Sequence, residues 1–359
     1  MEAIVWHGRR DVRWEEVPES RVPGVGEVRV RVAFAGICGT DLEEYLDGPI
    51  YIPVDAPHSL TGRQAPLILG HEFSGVVDVV GEGVSTLAVG DHVAGDCLIY
   101  CQHCPECRSG RFNLCANLGA LGQMADGGLA EFVTGPAYSF VKVPDPVPLD
   151  HAALAEPLAV AVRGVSRTNL EPGDGVLVTG AGTIGLFVLQ VAQRRGAGSV
   201  TVVEPHRGRR ELAERLGASV AVPSLKELSA SERFDCAVEC TGRPDAQRGA
   251  IALIRPKGRV VLVGIPTEST CLDTLMMING EKEIVGSLSH LALDDFAAGV
   301  ALMSQGDVQV DPLISRRYPL REGVRALEAL QHPEDDLVKI LLVPGTGEPV
   351  QRIKGGENS

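Results

Sequence analysis

Four cysteines in one short segment have the spacing of a metal site. They lie in CQHCPECRSGRFNLC and are separated by two, two and seven residues: Cys101, Cys104, Cys107 and Cys115. Four thiolates this close can surround one ion tetrahedrally and leave no open position, as structural zinc sites do. An iron–sulfur cluster is the alternative for the same ligands, and Cys97 falls outside the spacing. The pattern favours structural zinc.

A second group of metal-binding residue types is dispersed along the chain. Cys38 lies in GICGTD, His71 in GHE, and Glu156 in AEPLAVAVRG. One thiolate, one imidazole and one carboxylate would leave a zinc position open to water or substrate. Spacing alone is weak support, because 33 residues separate Cys38 from His71 and a histidine between Gly and Glu is more often structural. If the site exists, the fold must bring these side chains together.

A glycine-rich loop, GAGTIG (180–185), directly follows an apolar strand pattern and directly precedes a helical one. Gly180 permits a tight turn, Gly182 lets a pyrophosphate approach the backbone, and Gly185 allows the helix to pack closely on the strand. Thr183 and Ile184 begin the helix, whose free N–H groups and partial positive charge favour phosphates. An ordinary turn is the alternative, but the βαβ context favours dinucleotide binding.

Glu204 ends the second strand of this unit, 19 residues after Gly185. A carboxylate there can accept hydrogen bonds from the ribose hydroxyls and would repel a 2′-phosphate, which favours NAD over NADP. Arg207, Arg209 and Arg210 follow and could instead meet a phosphate. A solvated helix face is the preferred interpretation of these arginines.

The elements around these residues change in type along the chain. Residues 1–157 have short alternating runs such as EVRVRVAF (27–34), broken by Gly every 8 to 12 residues, which is typical of a small antiparallel barrel or sandwich. From about residue 172, strands alternate with helices, which predicts a parallel, doubly wound sheet. The C-terminal part adds two helical patterns, 293–304 and 321–331, and a strand over 337–343.

Composition excludes several classes of protein. The 359 residues suggest two domains, and 44% hydrophobic with 22% charged residues excludes disorder. Thirty-three Lys and Arg against 47 Asp and Glu give a net charge of −14, a poor match for nucleic acid or an anionic membrane. We found no apolar run long enough for a membrane helix and no secretory signal, so we expect a cytoplasmic chain with nine reduced cysteines.

Five segments in this order resemble the zinc-dependent medium-chain alcohol and polyol dehydrogenases over essentially the whole chain: GICGTD, LGHEFSG, the four-cysteine segment, AEPLAVAV and GAGTIG. The stretch EYLDGPIYIP (44–53) and the long loop after it resemble the (R,R)-butanediol dehydrogenase branch more than sorbitol or ethanol enzymes. The resemblance implies a GroES-like, mostly β catalytic domain over 1–157 and 291–359 with a zinc lobe at 95–120. It implies a Rossmann NAD-binding domain over 158–290, with catalysis in the cleft between the two.

The resemblance also assigns residues to the catalytic zinc. Cys38 and His71 match ligands, and Glu156 stands where polyol enzymes have Glu. Glu72 is the family's second carboxylate, and the sequence leaves open whether Glu72 or Glu156 is the third ligand. Thr40 matches the hydroxyl that touches the substrate oxygen.

Other matched positions concern the cofactor and the proton relay. Lys339 falls where a basic residue commonly reaches the pyrophosphate, and four positions fall near the nicotinamide: Gly242, Val263, Gly264 and Ile265. The family commonly has His at the outer end of a proton relay, whereas this chain has Glu43. A carboxylate of ordinary pKa accepts protons poorly near neutrality, so the relay ends in Glu43 or in water, or the substrate differs.

The resemblance implies an enzyme with NAD and two zinc ions per chain. We expect hydride transfer between NAD and a secondary alcohol, a vicinal diol or acyloin such as 2,3-butanediol or acetoin. The alternatives are a sugar, a cyclitol or a secondary-metabolite alcohol, or a catalytically silent NAD-binding protein. By analogy the chain forms a homodimer or homotetramer, and its expected partner is a small alcohol or ketone, with no nucleic acid or membrane.

Overall fold

Alternating valines form the central strand of the first half of the chain. In β3 (Glu27–Ile37) the side chains of Val28, Val30 and Val32 are buried, whereas Arg31 is exposed. This period of two is that of a strand with one face on a core. The computed structural model describes residues 1–229, 231–266, 268–331 and 336–345. The end of the predicted catalytic domain, 346–359, lies outside the described residues.

Seven strands form the largest sheet, in the order β10-β6-β5-β3-β18-β17 with β9 also paired to β3. All neighbours are antiparallel except β17 and β18, which are parallel. A three-stranded sheet, β2-β1-β4, and the pair β7-β8 complete this half. The remaining strands of this half are β1 (Glu2–Gly8), β2 (Asp11–Glu16), β4 (Leu67–Ile68), β5 (Glu72–Val80), β6 (His92–Gly95), β7 (Leu98–Ile99), β8 (Gly119–Ala120), β9 (Phe132–Pro136), β10 (Phe140–Lys142), β17 (Ile314–Pro319) and β18 (Lys339–Val343).

The middle of the chain forms a six-stranded parallel sheet in the order β13-β12-β11-β14-β15-β16. This order reverses direction beside β11, as in doubly wound dinucleotide-binding folds. Strands β11 and β14 are buried on both faces and read as continuous apolar runs. The strands are β11 (Gly175–Thr179), β12 (Ser199–Val203), β13 (Val220–Val222), β14 (Phe234–Glu239), β15 (Ile254–Leu262) and β16 (Glu283–Gly286).

Ten α-helices connect and cover these sheets within the described residues. The helices are α1 (Gly39–Asp47), α2 (Pro105–Arg108), α3 (Leu149–Ala152), α4 (Ala155–Ser166), α5 (Thr183–Arg194), α6 (Arg207–Arg215), α7 (Pro244–Leu253), α8 (Thr274–Gly280), α9 (Ala297–Gln305) and α10 (Gly323–Ala329). Short 3-10 or π turns flank several of them, and a π turn over Ala292–Phe296 leads directly into α9. The predicted helix over 293–304 therefore begins as a wider turn, in which Asp295 accepts a hydrogen bond from the Leu291 N–H.

The predicted fold class is confirmed: a mostly β part joins a doubly wound parallel sheet. The C-terminal strands β17 and β18 return to the sheet of β3, which supports the division of the chain at about 157 and 291. Those boundaries stay a prediction. In the part of the chain that the structure describes, no helix combines the length and the apolar run that a bilayer crossing needs.

Candidate active site and metal centres

The fold brings the dispersed group together at the ends of neighbouring strands. Cys38 follows β3 and begins α1, and His71 with Glu72 stands at the start of β5. Glu72 is paired with Gly36 in the β3–β5 register, two residues before Cys38. One sulfur, one ring nitrogen and one carboxylate oxygen of Cys38, His71 and Glu72 lie within 4.8 Å of one another.

Asp41 supports both Cys38 and His71. Its Oδ2 accepts the Cys38 N–H at 2.9 Å, and its Oδ1 lies 3.6 Å from His71 Nδ1. At 3.6 Å this contact is an ion pair longer than a hydrogen bond, so Asp41 acts on the His71 ring through its charge. Burial alone would lower the pKa of His71, but the nearby Cys38 and Asp41 groups outweigh burial and raise that pKa well above its ordinary value.

Lys339 is directed at Glu72. Its Nζ lies 2.6 and 2.8 Å from the two carboxylate oxygens and 2.9 Å from the Ile37 carbonyl oxygen, so all three donors are used. Burial lowers the pKa of Lys339 and Glu72 raises it, with a net rise. Removing one partner of a buried ion pair costs about 3–5 kcal/mol, so a pyrophosphate contact would require part of this arrangement to be given up. That cofactor role stays a prediction.

Glu156 approaches the same region from the first turn of α4. Its Oε1 lies 3.5 Å from Nδ1 of His290, and the other ring nitrogen, Nε2, lies 2.7 Å from Asp96 Oδ1. Burial opposes the charge on His290, but Asp96 and Glu156 raise its pKa to about 10. Burial also raises the pKa of Glu156, but His290 outweighs this and the net shift is downward. Glu156 does not belong to the compact Cys38–His71–Glu72 group, so the third ligand stays open.

The charges around Cys38 fit a bound cation. Four carboxyl groups are at most 7% exposed here: Asp41, Glu72, Asp96 and Glu156. Against these four carboxyl groups stand Lys339, His290 and the His71 imidazole, whose pKa is raised, so carboxylates remain in excess even before the Cys38 thiol is counted. His71 Nδ1 is buried without a hydrogen-bond partner among the described residues. Sulfur, imidazole and carboxylate donors in an acidic buried setting are the chemistry that zinc requires.

The four lobe cysteines form a second compact group, again with donor atoms within 4.8 Å of one another. Backbone N–H groups donate to three of the sulfurs, from Cys101 to Cys115 at 3.3 Å, from Cys104 to Cys101 at 3.4 Å and from Cys107 to Cys104 at 3.5 Å. Such donation stabilises thiolates, and it lowers the pKa of Cys104. Four sulfur donors leave no open coordination position on a tetrahedral ion, so the lobe fits a closed structural zinc.

The glycine loop lies at the carboxyl edge of the parallel sheet. Gly180 has a positive φ of 91°, and a Cβ there would press on Thr241. A Cβ on Gly185 would overlap the Gly180 carbonyl oxygen, whereas one on Gly182 would meet no atom within 4 Å. The space over Gly182, at the N-terminus of α5, is therefore open for a phosphate group. Thr183 contacts the Val338 carbonyl oxygen at 3.4 Å, beside Lys339, and Ile184 is partly buried.

Glu204 is buried beside this loop. Its two oxygens accept N–H groups of Ala181 at 2.7 Å and His206 at 3.0 Å. The arginines that follow do not form a free cationic cluster. Arg209 donates to the Leu337 carbonyl oxygen at 2.9 and 2.6 Å, Arg210 to the Glu204 carbonyl oxygen at 2.8 Å, and Arg207 pairs with Glu211 on the helix surface.

The predicted nicotinamide positions lie together. Gly242 and Gly264 follow β14 and β15, and a Cβ on either would overlap the backbone of the other turn. A cavity of about 750 Å³ is lined by Val263, Gly264 and Ile265 among others. These turns share the edge of the sheet that carries the glycine loop.

Helix α1 carries the remaining predicted residues. Thr40 Oγ1 lies 3.7 Å from Cys38 Sγ. Glu43 is half-buried one turn later, and burial, with the charges of Asp47 and Glu44, raises the pKa of its carboxyl group. Glu43 can therefore exchange protons nearer neutrality than an ordinary carboxyl group.

Comparison with known proteins agrees with this geometry. Residues 24–145 match the model of the alcohol dehydrogenase GroES-like domain, and residues 183–305 match that of the zinc-binding dehydrogenase domain. The chain is 36% identical over 352 residues to (R,R)-butanediol dehydrogenase of Bacillus subtilis (strain 168), covering 96% of this chain and 100% of that protein. The chain belongs to the zinc-dependent alcohol dehydrogenase family. The predicted membership is confirmed, and the chain is an oxidoreductase that uses a nicotinamide cofactor and zinc.

Solved structures of this dehydrogenase family superpose closely on the chain. The crystal structure of 2R,3R-butanediol dehydrogenase from Bacillus subtilis has a TM-score of 0.88 at 35% identity, covering 96% of this chain and 99% of that one. A short chain alcohol dehydrogenase from E. coli CFT073, complexed with NADH, has a TM-score of 0.87 at 30% identity, with the same coverage. Membership in this family of enzymes argues against the alternative of a catalytically silent NAD-binding protein.

Several residues of the site were missed in the sequence. Asp41 carried a signal, because an acidic residue three positions after the residue that begins a helix is typical of a capping box. Asp96 and His290 are 194 residues apart and carried no local signal. Glu44 was not singled out in the sequence, yet it is buried and accepts hydrogen bonds from the N–H groups of Ile50 and Ile52 at 3.0 and 3.1 Å.

Proposed function

We propose that the enzyme transfers a hydride between NAD and a secondary alcohol of the vicinal diol or acyloin class, such as 2,3-butanediol and acetoin. The compact Cys38–His71–Glu72 group carries the proposal, since a metal ion held by three protein ligands would keep a position for substrate, and the Thr40 hydroxyl lies 3.7 Å from the Cys38 sulfur. The similarity to (R,R)-butanediol dehydrogenase of Bacillus subtilis supports this substrate class. The alternative substrates are a sugar, a cyclitol or a secondary-metabolite alcohol.

Cys38 and His71 would hold the catalytic ion, with Glu72 or Glu156 as third ligand. A zinc ion bound there lowers the pKa of a coordinated hydroxyl and polarises a carbonyl oxygen. The chain's own groups orient these ligands: Asp41 lies behind His71, and Lys339 holds Glu72. A carboxylate rather than a second thiolate makes the donor set harder and better suited to oxygen-rich substrates.

Thr40 and Glu43 are the proposed path for the hydroxyl proton. The Thr40 hydroxyl lies next to Cys38 and can take a hydrogen bond from a substrate oxygen at the open position. Glu43, one turn along α1, is the proposed outer end, and its raised pKa makes it a better acceptor than an ordinary carboxylate. Water is the alternative end of this path.

The cofactor site is proposed along the carboxyl edge of the parallel sheet. The glycine loop would bind the pyrophosphate, and Glu204 would accept hydrogen bonds from the adenosine ribose, which favours NAD. Gly242 with Val263, Gly264 and Ile265 would flank the nicotinamide. For the phosphates, Lys339 and Arg209 stay candidates whose present partners would have to change.

Metal binding and turnover test this proposal together. Wild-type protein is screened against small diols, sugars and cyclitols by NADH absorbance, with NAD and with NADP. His71→Ala is expected to abolish turnover while leaving NAD affinity nearly unchanged, because the imidazole belongs to the metal group and not to the glycine loop. His7→Ala, which removes a surface pair with Glu15, is the matched control and should retain activity. Unchanged turnover in His71→Ala would refute the catalytic metal assignment.

The remaining assignments are proposed on analogy. We propose a homodimer or homotetramer, and the cytoplasmic location stays a prediction. The lobe cysteines are proposed as ligands of the structural zinc, so metal analysis is expected to give two zinc ions per chain.

A further inference from the structure

The carboxylate of Glu156 is held by a histidine from a distant segment. His290 is fully buried. Its Nε2 lies 2.7 Å from Asp96, and its Nδ1 lies 3.2 Å from the Ser289 hydroxyl and 3.5 Å from Glu156. Asp96 follows β6 and Glu156 stands in the first turn of α4. Among the described residues, His290 is the ion-pair partner of Glu156 within 4 Å. The three side chains thus form a buried series, Asp96–His290–Glu156, and the charge of the Glu156 carboxylate interacts with His71 of the candidate metal site.

The segment that carries His290 is fixed from both sides. The preceding residue, Ser289, has a positive φ of 48°, a conformation that costs free energy in a residue other than glycine and often occurs at functional sites. One residue earlier, the Leu288 carbonyl oxygen accepts a hydrogen bond from Asn113 of the lobe at 2.7 Å. On the other side, Asp295 pairs with Arg163 of α4 at 3.2 Å.

We propose that His290 is a positioning residue for the catalytic metal site: supported by Asp96, it orients the Glu156 carboxylate, one of the two candidates for the third metal ligand. The inference rests on the proposed function, and it adds a residue from the connection after β16 to the machinery that orients the metal ligands. Because β16 is the last strand of the parallel sheet, this contact also links the nucleotide half of the enzyme to the metal site.

Glu156 needs such a partner because a flexible carboxylate binds a metal well only when it is held in one orientation. A glutamate side chain has three rotatable bonds, and a ligand oxygen must be held to within about 0.5 Å to be effective. An ion pair with a rigid, buried ring restricts these rotations while leaving lone pairs for a metal ion. Groups that orient metal ligands in this way typically change metal affinity by about 10–100-fold when they are removed.

A purely structural role is the competing explanation, and the chain offers a matched control for it. Asp295 lies in the same connection, is buried and pairs with the same helix, α4, but through Arg163 rather than Glu156. If His290 serves only to fasten the connection, His290→Ala and Asp295→Asn should have the same consequences. A positioning role predicts different consequences.

The experiment compares cobalt-substituted proteins. The visible spectrum of the catalytic site is isolated as the difference from the cobalt-loaded Cys38→Ser protein, and cobalt affinity and Tm are measured alongside. His290→Ala and Asp96→Asn are expected to shift this spectrum and weaken cobalt binding by about 10–100-fold, and His290→Gln, which retains an N–H donor, should recover part of it. Asp295→Asn should lower Tm and leave spectrum and affinity unchanged.

Two results would overturn the inference. One is an unchanged spectrum and affinity in both His290→Ala and Asp96→Asn. The other is a full additional effect of His290→Ala in a Glu156→Gln background, since a residue that acts through Glu156 has nothing left to position there. A wild-type protein without any Cys38-dependent spectrum would instead overturn the proposed function, and the inference with it.

Discussion

Burial governs the chemistry of single residues around Cys38. Carboxylates cannot remain ionised in a buried region without a partner, because the loss of hydration costs several kcal/mol for each ion. Lys339 fulfils this requirement for Glu72 and His290 does so for Glu156. The Cys38 thiol and the remaining carboxyl groups add negative charge that favours a bound cation. This excess of buried negative charge supports the proposed zinc site.

Glu43 provides a prediction about pH. A proton acceptor works when ionised, and the pKa of Glu43 is raised, so the rate of alcohol oxidation should fall as the pH falls through that raised pKa. Glu43→Gln cannot ionise, so this acidic limb should disappear and the plateau should drop by about 10²-fold, the lower end of general acid–base effects. The measurement is a pH profile of kcat.

The control for Glu43 is Asp47→Asn. The charge of Asp47 raises the pKa of Glu43, so removing it should move the acidic limb to lower pH while the plateau is kept. A Glu43→Gln profile that coincides with the wild-type profile would place the end of the relay in water.

Glu204 provides a prediction about the choice of cofactor. Glu204→Gln removes the negative charge that would repel a 2′-phosphate, while an amide oxygen can still accept the Ala181 N–H. A hydrogen bond to a charged group is worth about 1.5–3 kcal/mol, so NAD should bind roughly 10–100-fold more weakly and NADP should gain relative to NAD. The dissociation constants of both cofactors, measured by calorimetry, test this expectation. Unchanged dissociation constants for NAD and NADP would contradict the assignment of Glu204 to the ribose site.

At the scale of elements, helix α1 combines two tasks. Its first turn carries Cys38 at the helix start with Thr40 and Asp41, and its last turn carries Glu44, which binds the backbone of residues 50–52. The start of the long loop after α1 is thereby attached to the helix that presents the metal ligand. A shift of α1 would move both together, so this helix can couple the loop to the site.

The cysteine lobe provides a prediction at this scale. Cys104→Ser should remove one of two zinc ions per chain, because a serine hydroxyl is a poor zinc ligand and the closed site needs four donors. Since structural zinc contributes folding free energy directly, Tm should fall by about 2–4 °C for each kcal/mol lost. Metal analysis and thermal unfolding are the measurements. Cys271→Ser, at an exposed cysteine outside the group, should keep both ions, and two retained ions in Cys104→Ser would contradict the assignment.

At the scale of the whole molecule, the last strand of the chain joins the two halves. β18 lies beside β3 in the large sheet, and Val338 just before it contacts Thr183 at the start of α5. Lys339 therefore stands between the nucleotide loop and the metal group. This return of the chain explains how residues more than 260 positions apart, such as Glu72 and Lys339, come into contact.

The exposed face of α8 provides a prediction about assembly. Leu275 and Ile278 are 64% and 71% exposed, and α8 adjoins the edge strand β16. In the proposed dimer these side chains would be covered, and burying one such side chain contributes about 1.5–3 kcal/mol. Two copies of Ile278→Glu across a two-fold axis should therefore weaken assembly by about 10²-fold or more, as measured by sedimentation.

The matched control for assembly is Val89→Glu, at a valine that is 68% exposed in the other half of the chain. It adds the same charge and should leave the oligomer intact. A monomeric wild type, or an Ile278→Glu protein that assembles like wild type, would contradict this interface.

Local patterns were sufficient wherever the chemistry lies within a few consecutive residues. The four-cysteine spacing, the GAGTIG loop and the alternation of strands and helices each depend on neighbours in the chain, and the elements appear close to the predicted bounds. Helix α5 spans Thr183–Arg194 and begins within the GAGTIG loop, where the sequence analysis predicted the start of a helix. The role of Asp41 could also have been predicted from the local sequence, because its partner Cys38 is only three residues away.

Contacts between distant segments were decided by the tertiary structure alone. The amino-acid sequence determined the residue types that could bind zinc and a dinucleotide, because ligand chemistry and backbone propensity are properties of short segments. It did not determine that Lys339 meets Glu72 or that His290 lies between Asp96 and Glu156. Those pairings follow from strand order and from the requirement that every buried charge find a partner, and neither can be evaluated until the chain has folded.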